Sequence, residues 1–369
     1  MLFSNLRYVD ENFEEKRGSI EINDGLISSL EKKDGGEDMK GLLALPGFVD
    51  IHTHGGDGVD WCDCDEKRLQ KLSLYYAKRG VTSICPTTMT LPESELSKIL
   101  LSIEKIKGNE CGAYIQGINM EGPYISYEKR GAQNPEYIRQ ADESEFERLN
   151  AISEILLIDL APEMPGALNF SKNISKNTVC SVAHTGATFE EAEKGFENGF
   201  THATHLFNAM TPFESRKPGV VGAVFSSNSV TAELICDGFH LAPAAVKLAF
   251  KILGNRRAVA ISDSLSSAGC KDGEYMLGGQ KVIVKNSRAH LEDGTIAGST
   301  TNLFEEFKNL LAFGIPFKDA LAACSINPAR VIGKEKNCGS ITKGKSADLI
   351  FVDEKMALAH VVIRGKMIF

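Results

Sequence analysis

Histidine and carboxylate recur along this chain at positions from which they could grip a metal ion. His52-Thr53-His54 sets two imidazoles two residues apart. In an extended strand residues i and i+2 project to the same side, so both rings can reach one ion. Beside Gly55-Gly-Asp-Gly the same pair also reads as loop polarity, and alone it decides nothing. Glu121, in Met120-Glu-Gly-Pro, offers two hard oxygens that could bridge a pair of ions or cap the following loop. His184, His205, His240 and Asp263 complete the set. Imidazole with carboxylate suits zinc, iron or manganese better than magnesium or calcium. Asp263 ends the run Ala258-Val-Ala-Ile-Ser, where a carboxylate is costly without a metal or proton partner. It is the natural proton shuttle, and capping of the next segment is its competing role. Cys62 and Cys64 form a CxC with no second Cys/His cluster to face it, so no sulfur site is expected.

These residues need elements that bring them together. Apolar runs alternating with amphipathic stretches predict βα units and a parallel sheet. The runs are Gly47 to Ile51, Val81 to Cys85, Tyr114 to Met120, Ile155 to Leu160, Thr178 to Ala183, Phe200 to Thr204, Val230 to Cys236 and Ala258 to Ser262. Helices are predicted at Glu66 to Arg79, Pro92 to Lys107, Glu143 to Ile152, Glu190 to Asn198 and Pro243 to Leu253. Eight such units in this order predict a closed (β/α)8 barrel of the α/β class over residues 46–339. The candidate ligands then stand where the first, third, fifth, sixth, seventh and eighth strands end. A barrel gathers those ends at one mouth, and most of the chain's eight histidines are among them. Short alternating runs at both termini, with Asn23-Asp-Gly as a turn, predict a small β-sandwich domain from residues 1–45 and 340–369.

Composition removes other classes. Lysine and arginine total 41 against 49 acidic residues, a net charge of −8 without a basic tract, which excludes a nucleic-acid partner. No run approaches a membrane span, so no membrane partner is expected. Nine scattered cysteines in a chain this long favour reduced thiols and the cytoplasm. An anionic small substrate would need its own local cation.

The ordered motifs resemble a known family. They are Pro46-Gly-Phe-Val-Asp-Ile-His-Thr-His, Glu121-Gly-Pro, Ala161-Pro-Glu, His184-Thr-Gly-Ala-Thr, Thr204-His-Leu-Phe-Asn-Ala-Met, Asp237-Gly-Phe-His and Ser262-Asp, then Ala297-Gly-Ser-Thr, Asn327-Pro-Ala-Arg and Gly339-Ser-Ile-Thr-Lys-Gly. Together they are similar to the amidohydrolase superfamily, and within it to the N-acetylglucosamine-6-phosphate deacetylase family. The resemblance implies Glu121, His184 and His205 as ligands of a main metal. It implies His52 and His54 for a second, with Asp263 as metal contact and catalytic base. Two divalent ions per chain (Zn, Fe or Mn) follow from it, as does a phosphorylated amino sugar as substrate. Gln133, Asn208, Ala209, Arg216 and His240 would contact that substrate, Arg216 from a neighbouring subunit, which implies a homodimer. Gln133 stands where many members carry histidine and cannot titrate. Three alternatives stay open: another amidohydrolase, a deacetylase of N-acetylgalactosamine 6-phosphate, and a non-catalytic scaffold.

Overall fold

The apolar runs after Pro46 pair in the order of the chain. The structure, a computed structural model, describes residues 1–369. Its barrel strands are β1 (Phe48–Thr53), β2 (Val81–Thr88), β3 (Ile118–Glu121), β4 (Ile155–Leu160), β5 (Val179–Val182), β6 (Phe200–Ala203), β7 (Thr231–Ile235) and β8 (Ala258–Ile261). Each pairs in parallel with the next, from β1 on β2 to β7 on β8. Helices cover the outside, so the strands are buried on both faces, as their near-continuous apolar runs require.

The barrel closes by hydrogen bonds at the chemically loaded end. Asp263 N–H donates to the His52 carbonyl at 3.0 Å, and His54 N–H to the Ser264 carbonyl at 2.9 Å. The Ser262 hydroxyl donates to Asp50 Oδ2 at 2.6 Å.

Eight helices follow the strands: α1 (Glu66–Ala77), α2 (Glu93–Ile106), α3 (Glu143–Asn150), α4 (Ala167–Ile174), α5 (Phe189–Glu197), α6 (Gly219–Ser226), α7 (Pro243–Arg257) and α8 (Leu303–Ala312). Several starts are written in the sequence. Asp65, Asp142 and Asn302 accept from the first free N–H groups of α1, α3 and α8, and Thr188 with Glu191 forms a capping box on α5. On α2, Leu96, Ile99, Leu100 and Ile103 make the single buried stripe that a barrel helix needs.

Two further helices follow: α9 (Phe317–Cys324), which packs against α7, α8 and β8, and α10 (Ile326–Val331), at the opposite end from the mouth. Ala329 and Ile332 pack with Val49, Ile51, Leu157 and Val259 from the strands, plugging the barrel floor. Asn327 Nδ2 donates to the carbonyls of Ala258, at 2.8 Å, and Asn255, at 3.0 Å, which holds the start of β8.

The two chain ends share one eight-stranded sheet. Its joint is Leu43–Pro46 antiparallel to Leu349–Val352. The sheet curls until Ile27 N–H reaches the Lys345 carbonyl at 2.9 Å, enclosing Phe3, Ile20, Ile27, Leu349, Phe351 and Val362 in sandwich fashion.

Three local expectations need correction. The run Tyr114 to Met120 is not one strand but two, Tyr114–Ile115 and Ile118–Glu121, because the register on β2 slips by one residue between Ile115 opposite Ile84 and Asn119 opposite Thr87. The first strand extends to Thr53, so His52 lies within it rather than after it. A three-stranded antiparallel sheet, Gly273–Leu277, Gln280–Lys285 and Arg288–Leu291, is inserted between β8 and α8 and was not anticipated. Its apolar face packs on Met89, beyond β2, and Leu265, beyond β8, so it stands over the mouth. All nine cysteines are free thiols, and no helix is long and apolar enough to cross a membrane.

Replacing Asn327 with alanine strips the buried Ala258 carbonyl and the part-buried Asn255 carbonyl of their donor. The expected loss is about 2 kcal/mol of stability, on the scale of one or two unsatisfied buried groups. A urea midpoint equal to that of the wild type would show that β8 does not depend on this clamp.

Candidate active site

Glu121 is the last residue of β3, and its position depends on the glycine after it. Gly122 has φ +73°, and a Cβ there would lie 2.2 Å from Thr90 Oγ1. No other residue fits this turn without displacing Thr90. The Glu121 carboxylate points into the mouth and is 3% exposed.

Four imidazoles converge on it. Oε1 lies 2.9 Å from His184 Nε2, 3.3 Å from His205 Nε2 and 3.6 Å from His52 Nε2. Oε2 lies 3.3 Å from His54 Nε2. Two ligand triads therefore share this carboxylate: His52, His54 and Glu121, and Glu121, His184 and His205. Asp263 Oδ1 is 3.3 Å from His54 Nε2 and 3.7 Å from His52 Nε2, on the side of the first triad. His184, His205 and Asp263 adopt left-handed backbone, with φ of 43°, 29° and 46°. Non-glycine residues held there carry strain that surrounding structure must impose, a pattern concentrated at functional sites.

These donors fit divalent cations. His184 Nδ1 lies 3.0 Å from the Lys129 carbonyl, an acceptor only, so Nδ1 carries the proton and Nε2 presents its lone pair to the cluster. Yet His184 Nε2 and His205 Nε2 are 3.2 Å apart and face each other, an arrangement that a shared cation reconciles. His52 Nε2 is buried without a hydrogen-bond partner. The field has the matching sign. Burial alone would push the Glu121 carboxyl up, but the imidazoles gathered around it outweigh burial and hold the group well below the usual range. Burial likewise opposes charge on His54, while Asp263 and Glu121 overcome it and raise the ring to about 10. A site that draws protons this strongly onto imidazole answers equally to a metal cation, and this N/O donor set is that of zinc, iron or manganese.

The cluster forms the floor of a cavity of about 380 Å³, sufficient for a small phosphorylated sugar. His54, Glu121, Gln133, His184, His205, Asn208, Ala209, His240 and Asp263 all line it. His52 lies beneath, fully buried. His240 Nδ1 is held by Asp237 Oδ2 at 2.7 Å, which leaves Nε2 for the cavity. Gln133 takes a more specific position than substrate contact alone. Its Oε1 accepts from Thr90 N–H at 2.7 Å and its Nε2 donates to Glu121 Oε2 at 2.5 Å, so it orients the shared carboxylate. Asp263 is buttressed by the Ala297-Gly-Ser-Thr motif, whose Ser299 N–H donates to its carbonyl at 2.7 Å.

Arg216 is not in this cavity. It is exposed and borders a separate cleft with Phe189 and Pro218, on a loop whose Phe213 is 59% exposed. Sequence reading missed Lys129, the sole lysine or arginine among the lining residues. The signal was its place in Tyr127-Glu-Lys-Arg-Gly, on the loop that leaves Glu121-Gly-Pro, but a lysine in a polar loop reads as solvated.

The amidohydrolase family model matches residues 43–368. The chain is 34% identical to N-acetylglucosamine-6-phosphate deacetylase of Bacillus subtilis (strain 168), over 100% of this chain and 97% of that protein. It is 32% identical to N-acetylgalactosamine-6-phosphate deacetylase of Escherichia coli O157:H7, over 94% of each. Among solved structures it is similar to a mutant N-acetyl-D-glucosamine-6-phosphate deacetylase from Mycobacterium smegmatis in complex with N-acetyl-D-glucosamine-6-phosphate, with TM-score 0.93, 28% identity and coverage of 100% and 99%. The barrel, the shared carboxylate and the full-length likeness agree: the chain belongs to the amidohydrolase family, in its N-acetylglucosamine-6-phosphate deacetylase branch.

Proposed function

We propose that this chain hydrolyses the acetamide of N-acetylglucosamine 6-phosphate at the cavity over Glu121, releasing acetate and glucosamine 6-phosphate. The observation that carries this reading is the pair of ligand triads sharing Glu121, with Asp263 and His240 facing the same cavity. Glu121, His184 and His205 would hold one divalent ion, and His52, His54 and Glu121 with Asp263 a second. Bound there, such an ion lowers the pKa of coordinated water toward neutrality and so supplies a nucleophile for an unactivated amide. Asp263 accepts the proton of the attacking water and passes it to the departing nitrogen. Gln133 commits its amide to Thr90 and Glu121, which leaves His240 as the side chain available to the acetyl oxygen.

The phosphate needs a cation, because Glu121, Glu128 and Asp263 make the cavity wall acidic. Lys129 supplies one from within the chain, since it lines the same cavity as Asn208 and Ala209. Arg216 supplies another from a second copy in a homodimer, a reading supported by its exposed loop and the uncovered Phe213 ring. The terminal sheet carries none of these residues, which suits a separate domain of residues 1–45 and 340–369. Nine free thiols suit a reducing cytoplasm.

N-acetylgalactosamine 6-phosphate is the second reading, on the strength of the Escherichia coli relative at 32% identity. Comparing kcat/KM for the two acetylated sugar phosphates decides between them.

Asp263→Asn keeps the shape but removes the proton acceptor, so turnover should fall by roughly 10² to 10⁴ while KM changes little. Near-normal turnover would reduce Asp263 to a structural role. Lys129→Ala leaves the carbonyl that holds His184 in place. It should raise KM for the phosphorylated substrate about tenfold or more, the weight of one charge-assisted bond, and hardly alter the unphosphorylated sugar. Equal losses on both substrates would remove Lys129 from phosphate recognition.

A further inference from the structure

Beneath the cavity lies a buried carboxylate that none of the motifs above includes. Glu233, in β7, is 0% exposed. Its Oε2 lies 3.1 Å from His52 Nδ1 and accepts from the backbone N–H of His205 at 3.1 Å. Its Oε1 lies 3.3 Å from His202 Nε2. The His202 ring is set in turn by Thr231, whose hydroxyl is 2.6 Å from Nδ1. One side chain thus touches a ligand residue of each triad, His52 through its ring and His205 through its backbone.

We propose that Glu233 is the positioning residue of the two-ion centre: by accepting the Nδ1 proton of His52 it turns the bare Nε2 toward Glu121 and Asp263, and so creates the second metal position. This rests on the two-ion reading given above.

The geometry leaves His52 little choice. A carboxylate is acceptor only, so a neutral His52 ring must carry its proton on Nδ1 to satisfy the 3.1 Å contact. Nε2 is then a lone pair 3.6 Å from Glu121 Oε1 and 3.7 Å from Asp263 Oδ1, with no other partner. A second carboxylate, Asp159, approaches the same Nδ1 through Oδ2, but at 3.8 Å it is beyond hydrogen-bond reach, whereas Glu233 Oε2 lies within it. Glu233 is therefore the group that fixes the tautomer. A carboxylate behind a ligating imidazole also makes the ring a stronger donor, and losing such a partner typically weakens metal binding by roughly 10- to 100-fold. The His205 backbone bond gives Glu233 a second hold, on a residue whose φ of 29° needs external support.

Stepwise titration of metal-free protein with zinc against a competing chelator reads the two positions separately. Wild type should show two steps, and His52→Gln should identify the second by abolishing it. Glu233→Gln, which keeps volume and one acceptor but removes the charge, should weaken that step by roughly 10- to 100-fold and leave the first within about threefold. Two wild-type steps with an unchanged second step in Glu233→Gln would overturn the role of Glu233 alone. Equal weakening of both steps would also overturn it, because a merely structural residue acts that way. A single step in the wild type would overturn the two-ion reading and this proposal with it. Should Glu233→Gln fail to fold, nitrogen NMR of histidine-labelled, zinc-loaded wild type gives the same answer. Protonated Nδ1 on His52, its signal assigned with His52→Gln, supports the proposal, and a bare Nδ1 ends it.

Discussion

Negative charge buried at the barrel mouth is the constraint to which the rest of the structure answers. Four carboxylates surround the His52 ring, with Glu233 and Asp159 on its Nδ1 side at 3.1 and 3.8 Å, and Glu121 and Asp263 on its Nε2 side at 3.6 and 3.7 Å. Each such group carries a desolvation cost of several kcal/mol when taken from water, so the cluster persists only with compensating positive charge. Protons on imidazole are one compensation, and burial and mutual repulsion also push Asp159 up to about 7. Divalent cations are the better one, since they satisfy the inward lone pairs of the same histidines instead of capping them. The centre that supports hydrolysis is thus also what makes the interior of the barrel electrically tenable.

That dependence extends to closure of the fold. The seam between β8 and β1 has no ladder of its own and is held by Asp263 N–H on His52, His54 N–H on Ser264 and Ser262 on Asp50. The residues that complete the cylinder are those that present the His52, His54 and Asp263 side chains. At Gly298 the coupling tightens: a Cβ would sit 2.7 Å from the Asp263 carbonyl oxygen, so the segment that supports Asp263 can approach only as glycine. Geometry at the metal and integrity of the barrel are one set of hydrogen bonds. This is why the strained backbone at Asp263 is sustained.

The parallel strands and most covering helices were legible because burial on both faces writes continuous apolar runs, and because amphipathic stretches alternate with them. The ligands were legible because a closed barrel converts positions far apart in sequence into neighbours, so His52, Glu121, His184 and Asp263 could be read as one group. What escaped had physical reasons. Helix α6, Gly219-Val-Val-Gly-Ala-Val-Phe-Ser, is apolar all round and has no amphipathic period to read. The inserted sheet carried hairpin signals in Gly278-Gly and Asn286-Ser, which a search for βα units passed over. Glu233 sits inside Thr231-Ala-Glu-Leu-Ile, where one charged residue in an apolar strand marks a buried partner, but sequence alone does not name His52 as that partner.

Gln133 shows how the shared carboxylate is oriented by a group that does not titrate. A histidine there could shift its charge with pH; an amide cannot. Thr90 N–H fixes Oε1, which obliges Nε2 to donate, and the acceptor in reach is Glu121 Oε2. The shared carboxylate therefore gains a neutral donor whose contribution is constant with pH, on the oxygen that also faces His54. His240 stands on the wall of the same cavity, and its Asp237 partner on Nδ1 leaves Nε2 free to face that space. An amide at this place gives the site no proton carrier but a fixed donor on the carboxylate that both ligand triads share.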